Sequence, residues 1–177
     1  MRTPLQLRTS RLELTAATIP LSEAELADRS EFARLLDASV PADWPPETAA
    51  DALPVFLGWL REHPDRGGWL GWYGVRVEGA DRVLVASGGF LGAPDQHGMV
   101  EMGYSVLPAF QRQGLAGEIV AALAAWAFAH PAVRKIEADT DRANAGSWAL
   151  LRRAGFVEIG AGREPGAARL RKERPRG

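Results

Sequence analysis

No cysteine occurs in the 177 residues, which removes disulfides, thiolate metal sites and a cysteine nucleophile together and suits a reducing compartment. A charge of one sign is also lacking. The formal net charge is −1 and Arg and Lys are scattered, so the broad basic face needed for nucleic acid is absent. The longest uninterrupted apolar run, Ile119 to Ala129, is too short to span a bilayer. Met1 to Ser10 has no apolar stretch of the signal-peptide kind. The expectation is a soluble, cytoplasmic protein with neither membrane nor nucleic-acid partners. Histidine is scarce: His63 and His130 each precede a proline, His97 falls in a loop, and their spacing suggests no metal.

What is present suits one domain, residues 1–177, with 46% apolar and 24% charged residues. Leu5 to Thr15 alternates like a strand with an irregular middle. Ser22, with Glu25 three residues on, reads as the cap of a helix whose buried stripe is Leu26, Phe32, Leu35 and Leu36. Val40 to Pro46, with three prolines, reads as an exposed loop, and a second helix is expected from Glu47 to Glu62. Trp69 to Glu78 and Arg82 to Leu91 read as a hairpin around Gly79-Ala80-Asp81. Gly98 to Pro108 is a third strand. Leu115, Ile119, Leu123 and Ala127 then mark a helix so apolar that other helices must cover it, or a second copy of the chain as in a homodimer. Val133 to Thr140 is a strand, Asn144 to Ala154 a helix capped by Gly155, and Phe156 to Gly160 and Ala168 to Arg171 are short strands. From Ala161 to Gly177 six basic residues face two acidic ones, which reads as a solvated tail. The order implies an α+β fold, a mixed sheet with one parallel crossover between the strands near 100 and 135.

The informative stretch is Met99 to Glu118. A strand ends at Pro108 and a turn opens straight into a helix, whose first amides lack internal partners and lie at the positive end of the helix dipole. Gly114 and Ala116 are small enough for a diphosphate to reach the backbone, and Arg112 adds charge. The turn lacks the Gly-Lys-Ser/Thr of nucleoside triphosphatases and the three-glycine spacing of dinucleotide sites.

Gln111-Arg112-Gln113-Gly114-Leu115-Ala116 resembles the pyrophosphate loop of the GNAT superfamily of N-acyltransferases. Val100 to Pro108 looks like the fourth strand of that superfamily. Ala138-Asp139-Thr140, Asn144, Ser147, Leu151 and Ala154-Gly155-Phe156 are similar to its fifth strand and next helix. The nearest flavour is the branch holding ribosomal-protein N-terminal acetyltransferases. The resemblance implies a mostly antiparallel central sheet flanked by helices, with two central strands splayed near a β-bulge at Gly103. It implies acetyl-CoA as cosubstrate, bound by Val106, Gln111, Arg112, Gln113, Gly114, Leu115, Ala116 and Asn144. The Val106 N–H would polarise the thioester. The acetyl group would pass directly to a primary amine, of a protein N-terminus or a small molecule, in a ternary complex. An alternative is a non-catalytic acyl-CoA-binding regulatory domain. Glu101 is the candidate general base, since the attacking amine must lose a proton. By the same resemblance Ser147 stands near the sulfur as candidate proton donor to the leaving thiolate; the tyrosine that several members place after this helix has no counterpart here, so Ser147 or water must substitute. Glu118 is read as structural. Trp44 is expected to wall the acceptor pocket, and Trp69, Trp72 and Trp148 to pack in the core.

Overall fold

The computed structural model describes residues 4–46 and 50–176. Its elements are β1 (Gln6–Arg8), β2 (Leu12–Ala16), α1 (Ile19–Ala27), α2 (Arg29–Leu36), α3 (Leu53–Glu62), β3 (Gly71–Glu78), β4 (Asp81–Phe90), β5 (Met99–Val106), α4 (Leu115–Phe128), β6 (Lys135–Asp141), α5 (Ala145–Arg153), β7 (Val157–Ala161) and β8 (Ala167–Glu173). The strands form one sheet in the order β1-β2-β3-β4-β5-β6-β8-β7. All neighbours are antiparallel except β5 and β6, joined in parallel by the crossover through α4. This is the mixed α+β sheet expected from the residue pattern.

Each sheet face carries its own core. Leu115, Ile119, Val120, Leu123 and Ala127 of α4 are buried against Leu14, Val85, Val100 and Met102 of the strands, with Leu151 and Phe156 continuing the layer. Ala121 and Ala125 face outward. The sheet thus covers the apolar stripe of α4, and alanines make up much of its open side. On the other face Leu21, Phe32, Leu36 and Leu60 pack on Tyr73, Val75 and Leu84.

The first helical region departs from its sequence reading. Thr18, not Ser22, caps α1, its hydroxyl accepting from the Leu21 N–H. Asp28 then ends α1 and caps α2 by accepting from the Ser30 and Glu31 amides. The single expected helix is therefore two. The break rotates the stripe, leaving Leu26 and Leu35 exposed while Phe32 and Leu36 are buried. The Val40–Pro46 loop is not fully exposed, because Trp44 is buried at 6%. The expected start of the next helix at Glu47 lies outside the described residues.

The basic C-terminal segment is an interior strand rather than a solvated tail. Ala167–Glu173 lies between β6 and β7, and its arginines face acids of the neighbouring strands. Arg169 reaches Asp139 (2.8 Å) and Glu137 (3.2 Å), and Arg171 reaches Glu137 (2.7 Å). Cross-strand charge pairing holds a sequence that composition alone assigns to solvent.

Candidate functional site

The sheet opens in its middle. β5 and β6 pair only through Met99↔Lys135, Val100↔Ile136 and Glu101↔Glu137. Beyond these pairs, β5 continues along β4 to Val106 while β6 continues along β8 to Asp141, so the two strands part. The expected bulge at Gly103 is absent from the β4–β5 ladder, which keeps register from Met102 to Val106. The shift falls instead between Gly74 and Val75 in the β3–β4 ladder. Splaying comes from lost pairing, not from an inserted residue.

Ladder parity fixes which backbone groups face the gap. The Leu107 N–H bonds the Val85 carbonyl and the Leu91 N–H bonds the Glu101 carbonyl, so odd-numbered residues of β5 exchange bonds with β4. In an antiparallel pair the intervening residues turn their N–H and C=O outward. Those of Tyr104 and Val106 therefore face the gap. The Val106 carbonyl accepts from Gln111 Nε2 at 3.0 Å, so Gln111 ties the turn that follows β5 to the strand.

That turn follows a 3₁₀ turn at Pro108–Phe110. Arg112 and Gly114 both have positive φ, 58° and 81°, and such left-handed residues bend successive amides into anion-binding concavities. A side chain at Gly114 would be strained by its backbone, and an added Cβ would stand 3.2 Å from Arg11 Nη2. The first backbone bond of α4 runs from the Glu118 N–H to the Gly114 carbonyl. The amides of Leu115, Ala116 and Gly117 thus stand at the open helix end. Gln113 is exposed in the turn. Arg11, a second cation beside this turn, is missed by a reading confined to the turn itself. Glu118 holds it: its carboxylate accepts from Arg11 Nε (2.6 Å), the Arg11 N–H (3.1 Å) and Thr9 Oγ1 (2.5 Å). Burial pushes this carboxyl up, but bonds from Thr9, Arg11 and Ser10 outweigh it and leave the pKa below the usual range.

Across the gap, the Tyr104 and Ser147 hydroxyls hydrogen bond at 2.7 Å. Burial pushes the Tyr104 pKa up, and the Ser147 bond draws it partly back. A tyrosine hydroxyl therefore does reach Ser147, from the strand before it rather than from the chain after it. Asn144 Oδ1 accepts from the Ser147 N–H at 3.0 Å, capping α5. Glu101 shares a strand face with Gly103 and Ser105 but is closed off, its side chain 11% exposed and its carboxylate contacting the Arg163 and Arg169 guanidinium groups. The structure therefore does not bring Glu101 to Ser147.

On the α1 side of β4 and β5 lies a cavity of about 340 Å³, lined among others by Glu25, Trp44, Phe56, Gly103, Tyr104 and Ser105. An added Cβ at Gly103 would meet nothing within 4 Å. Trp44 lies in this wall, and its indole N–H donates to Glu25 Oε1 at 2.8 Å. The Tyr73 hydroxyl donates to Glu25 Oε2 at 2.6 Å. Desolvation raises the Glu25 pKa despite both bonds. Burial, then the charge of Glu25, hold Tyr73 well above the usual tyrosine range. Read as a capping residue, Glu25 goes unnoticed as a cavity group; the misplaced helix start is the reason. Trp72 is buried with its indole N–H on the Gly68 carbonyl, and Trp69 packs edge-on to Phe90. Trp148 is half-buried, with the Arg142 guanidinium over its ring.

The turn at the start of α4 thus lies beside a split parallel pair, with a separate cavity on the opposite face of the sheet. Residues 11–157 match the model of the acetyltransferase (GNAT) domain. A Bacillus subtilis (strain 168) protein named as an uncharacterized N-acetyltransferase, YjdG, is 30% identical over 151 residues, 85% of this chain and 89% of that one. The ribosomal-protein-S5-alanine acetyltransferase of Vibrio fischeri shares the fold at a TM-score of 0.62 and 17% identity, covering 96% of this chain and 97% of that one. RimL, a ribosomal L7/L12 α-N-protein acetyltransferase solved with coenzyme A, also gives 0.62, at 18% identity over 96% of this chain and 98% of its own. The chain therefore belongs to the GNAT family of acetyl-CoA-dependent acetyltransferases.

Proposed function

We propose that the protein transfers the acetyl group of acetyl-CoA directly to a primary amine, of a small molecule or a chain terminus, with both substrates bound together. The carrying observation is the start of α4, where left-handed Arg112 and Gly114 and the neighbouring Arg11 open beside the split between β5 and β6. These residues fit a diphosphate: two guanidinium groups and a helix N-terminus oppose its charge. Leu115 and Ala116 supply amides and Gln113 lies on the rim. Gln111 fits a supporting role, and Asn144 Nδ2 is the group of that side chain left to meet the pantetheine amides. Bound acetyl-CoA supplies an activated acyl thioester.

The chain's own residues then have assigned tasks. The outward main chain of Tyr104 and Val106 aligns the pantetheine arm as an extra strand, and the Val106 N–H donates to the thioester oxygen. A preorganised donor of this kind contributes about 3 kcal/mol. The Tyr104–Ser147 pair delivers a proton to the leaving sulfur, with Ser147 as the near donor. Glu101 is the candidate acceptor of the proton from the amine, acting through water because two arginines occupy its carboxylate. Alignment of the reactants can contribute roughly 7–11 kcal/mol.

The test is calorimetric titration with coenzyme A together with a thiol-release screen over amines. Gly114→Glu is expected to weaken coenzyme A binding at least tenfold, since it adds both strain and like charge. Undiminished binding would remove the turn from this role. Binding without thiol release for any amine would instead indicate a non-catalytic acyl-CoA-binding domain.

A further inference from the structure

Glu25 is a part-buried carboxylate whose charge no cation among the described residues answers. It lines the cavity beside β5, yet its two recorded partners, the Trp44 indole and the Tyr73 hydroxyl, are neutral. Among the described residues no ion pair involves it. The other carboxylates drawn inward have cations: Glu13 has Arg82, Glu118 has Arg11, and Glu101 and Glu137 have Arg169. A carboxylate in low dielectric without a cation is costly, and two neutral hydrogen bonds do not cancel that cost. Each partner uses one lone pair of one oxygen, so a carboxylate with about four acceptor sites keeps room for a further donor.

Much of the cavity's remaining lining is of the opposite character, although Ser22, Ser87 and Ser105 also belong to it. Trp44, Leu53, Phe56, Leu70 and Phe90 give it aromatic and aliphatic walls, while Gly103 and Ser105 open its β5 end. Its volume of about 340 Å³ is at the small end for ligand sites.

We propose that Glu25 is the acceptor-recognition residue, and that the acceptor is a compact primary amine with a single positive charge and an apolar or aromatic body. The ammonium group meets the Glu25 carboxylate and the body lies along Phe56 and Trp44. A polycation would leave charges against apolar walls, which disfavours polyamines. This inference rests on the reading of the protein as an amine acetyltransferase, but concerns only how the amine is held. The same chemistry is offered by a free arylalkylamine and by the α-amine of a chain beginning with an apolar residue.

Calorimetry of the full chain, with and without coenzyme A, tests it using 2-phenylethylamine, its uncharged counterpart 2-phenylethanol, the tripeptide Phe-Gly-Gly and spermidine. The amine is expected to bind at least tenfold tighter than the alcohol and tighter than spermidine. Glu25→Gln is expected to remove that tenfold preference while leaving coenzyme A affinity within twofold. Tighter binding of the tripeptide or of the free amine supports the proposal in either case and tells which source is used. Equal affinity for amine and alcohol, an unchanged Glu25→Gln, or preference for spermidine overturns it. Should Glu25→Gln not fold, Phe56→Ala serves: it is expected to weaken 2-phenylethylamine at least fivefold and ethylamine not at all, and unchanged affinity for the aromatic amine sinks the idea. Failure of coenzyme A to bind would refute the transferase reading while leaving the amine titration readable.

Discussion

At the scale of single residues, the role proposed for Tyr104 and Ser147 rests on their position, hydroxyl to hydroxyl at 2.7 Å. Buried tyrosine keeps its proton above the ordinary pKa of about 10, so as a donor it stays competent through the neutral and mildly alkaline range. Tyr104→Phe is expected to reduce turnover by about 10²-fold while coenzyme A affinity stays within twofold. Thiol-release kinetics and titration measure the two quantities, and a parental rate would dismiss the hydroxyl. The sign with pH follows from the proposed role: the protonated form would be the donor and its pKa is raised, so loss of this proton should not lower the wild-type rate in the neutral and mildly alkaline range. Glu101→Gln should lower turnover at neutral pH and leave coenzyme A affinity nearly intact, and unchanged turnover would take Glu101 out of the mechanism. The sequence points to Glu101 because a strand glutamate near the gap is visible in the residue order. The arginines facing it are not, since they come from positions 163 and 169 through the pairing of β6 with β8.

At the scale of elements, the β1–β2 turn and the first turn of α4 form one unit through Glu118, Thr9 and Arg11. Glu118→Gln is expected to lower stability by about 1.5 kcal/mol, which for a chain of this size is roughly 3–6 °C in Tm, and to weaken coenzyme A binding as Arg11 comes loose. A folded-state pKa below the ordinary 4.5 means that the contribution is fully present above that value and lost as pH falls through the depressed one. The Tm gap between wild type and variant should therefore close in acid; a gap constant with pH would contradict the assignment. Helices and strands with strong periodicity were legible in sequence, α4 and β5 above all, as was the Gly114 turn, because local spacing carries them. The split of α1 from α2 was not, since Thr18 and Ser22 are both good caps, and reading Ser22 as the start passes over Pro20 in the first turn of α1 and Asp28 as the cap of α2. Glu25 was obscured for the same reason.

At the scale of the whole molecule, the sheet is two blocks, β1–β5 and β6–β8 with β7, hinged on three residue pairs. Arg169 spans that hinge, touching Asp139 and Glu137 on β6 and Glu101 on β5. Arg169→Ala should leave these acids facing one another with fewer cations and destabilise the protein by about 3 kcal/mol, or roughly 6–12 °C in Tm, measurable by calorimetry. A loss under 2 °C would mean that the blocks are joined by their apolar layer alone. The Ala161 to Gly177 segment shows the limit of composition as a guide, since an arginine-rich strand and a solvated tail differ only in what lies opposite. That placement has a temporal consequence. The far wall of the gap, β6, is held on its outer side by β8, which ends at Glu173, while Arg11 and Thr9 brace the near side from the other terminus. A nascent chain emerging from the ribosome would thus have its complete Gly114 turn before the far wall of the gap is in place, and capture of coenzyme A through the proposed site should coincide with the last strand joining the sheet.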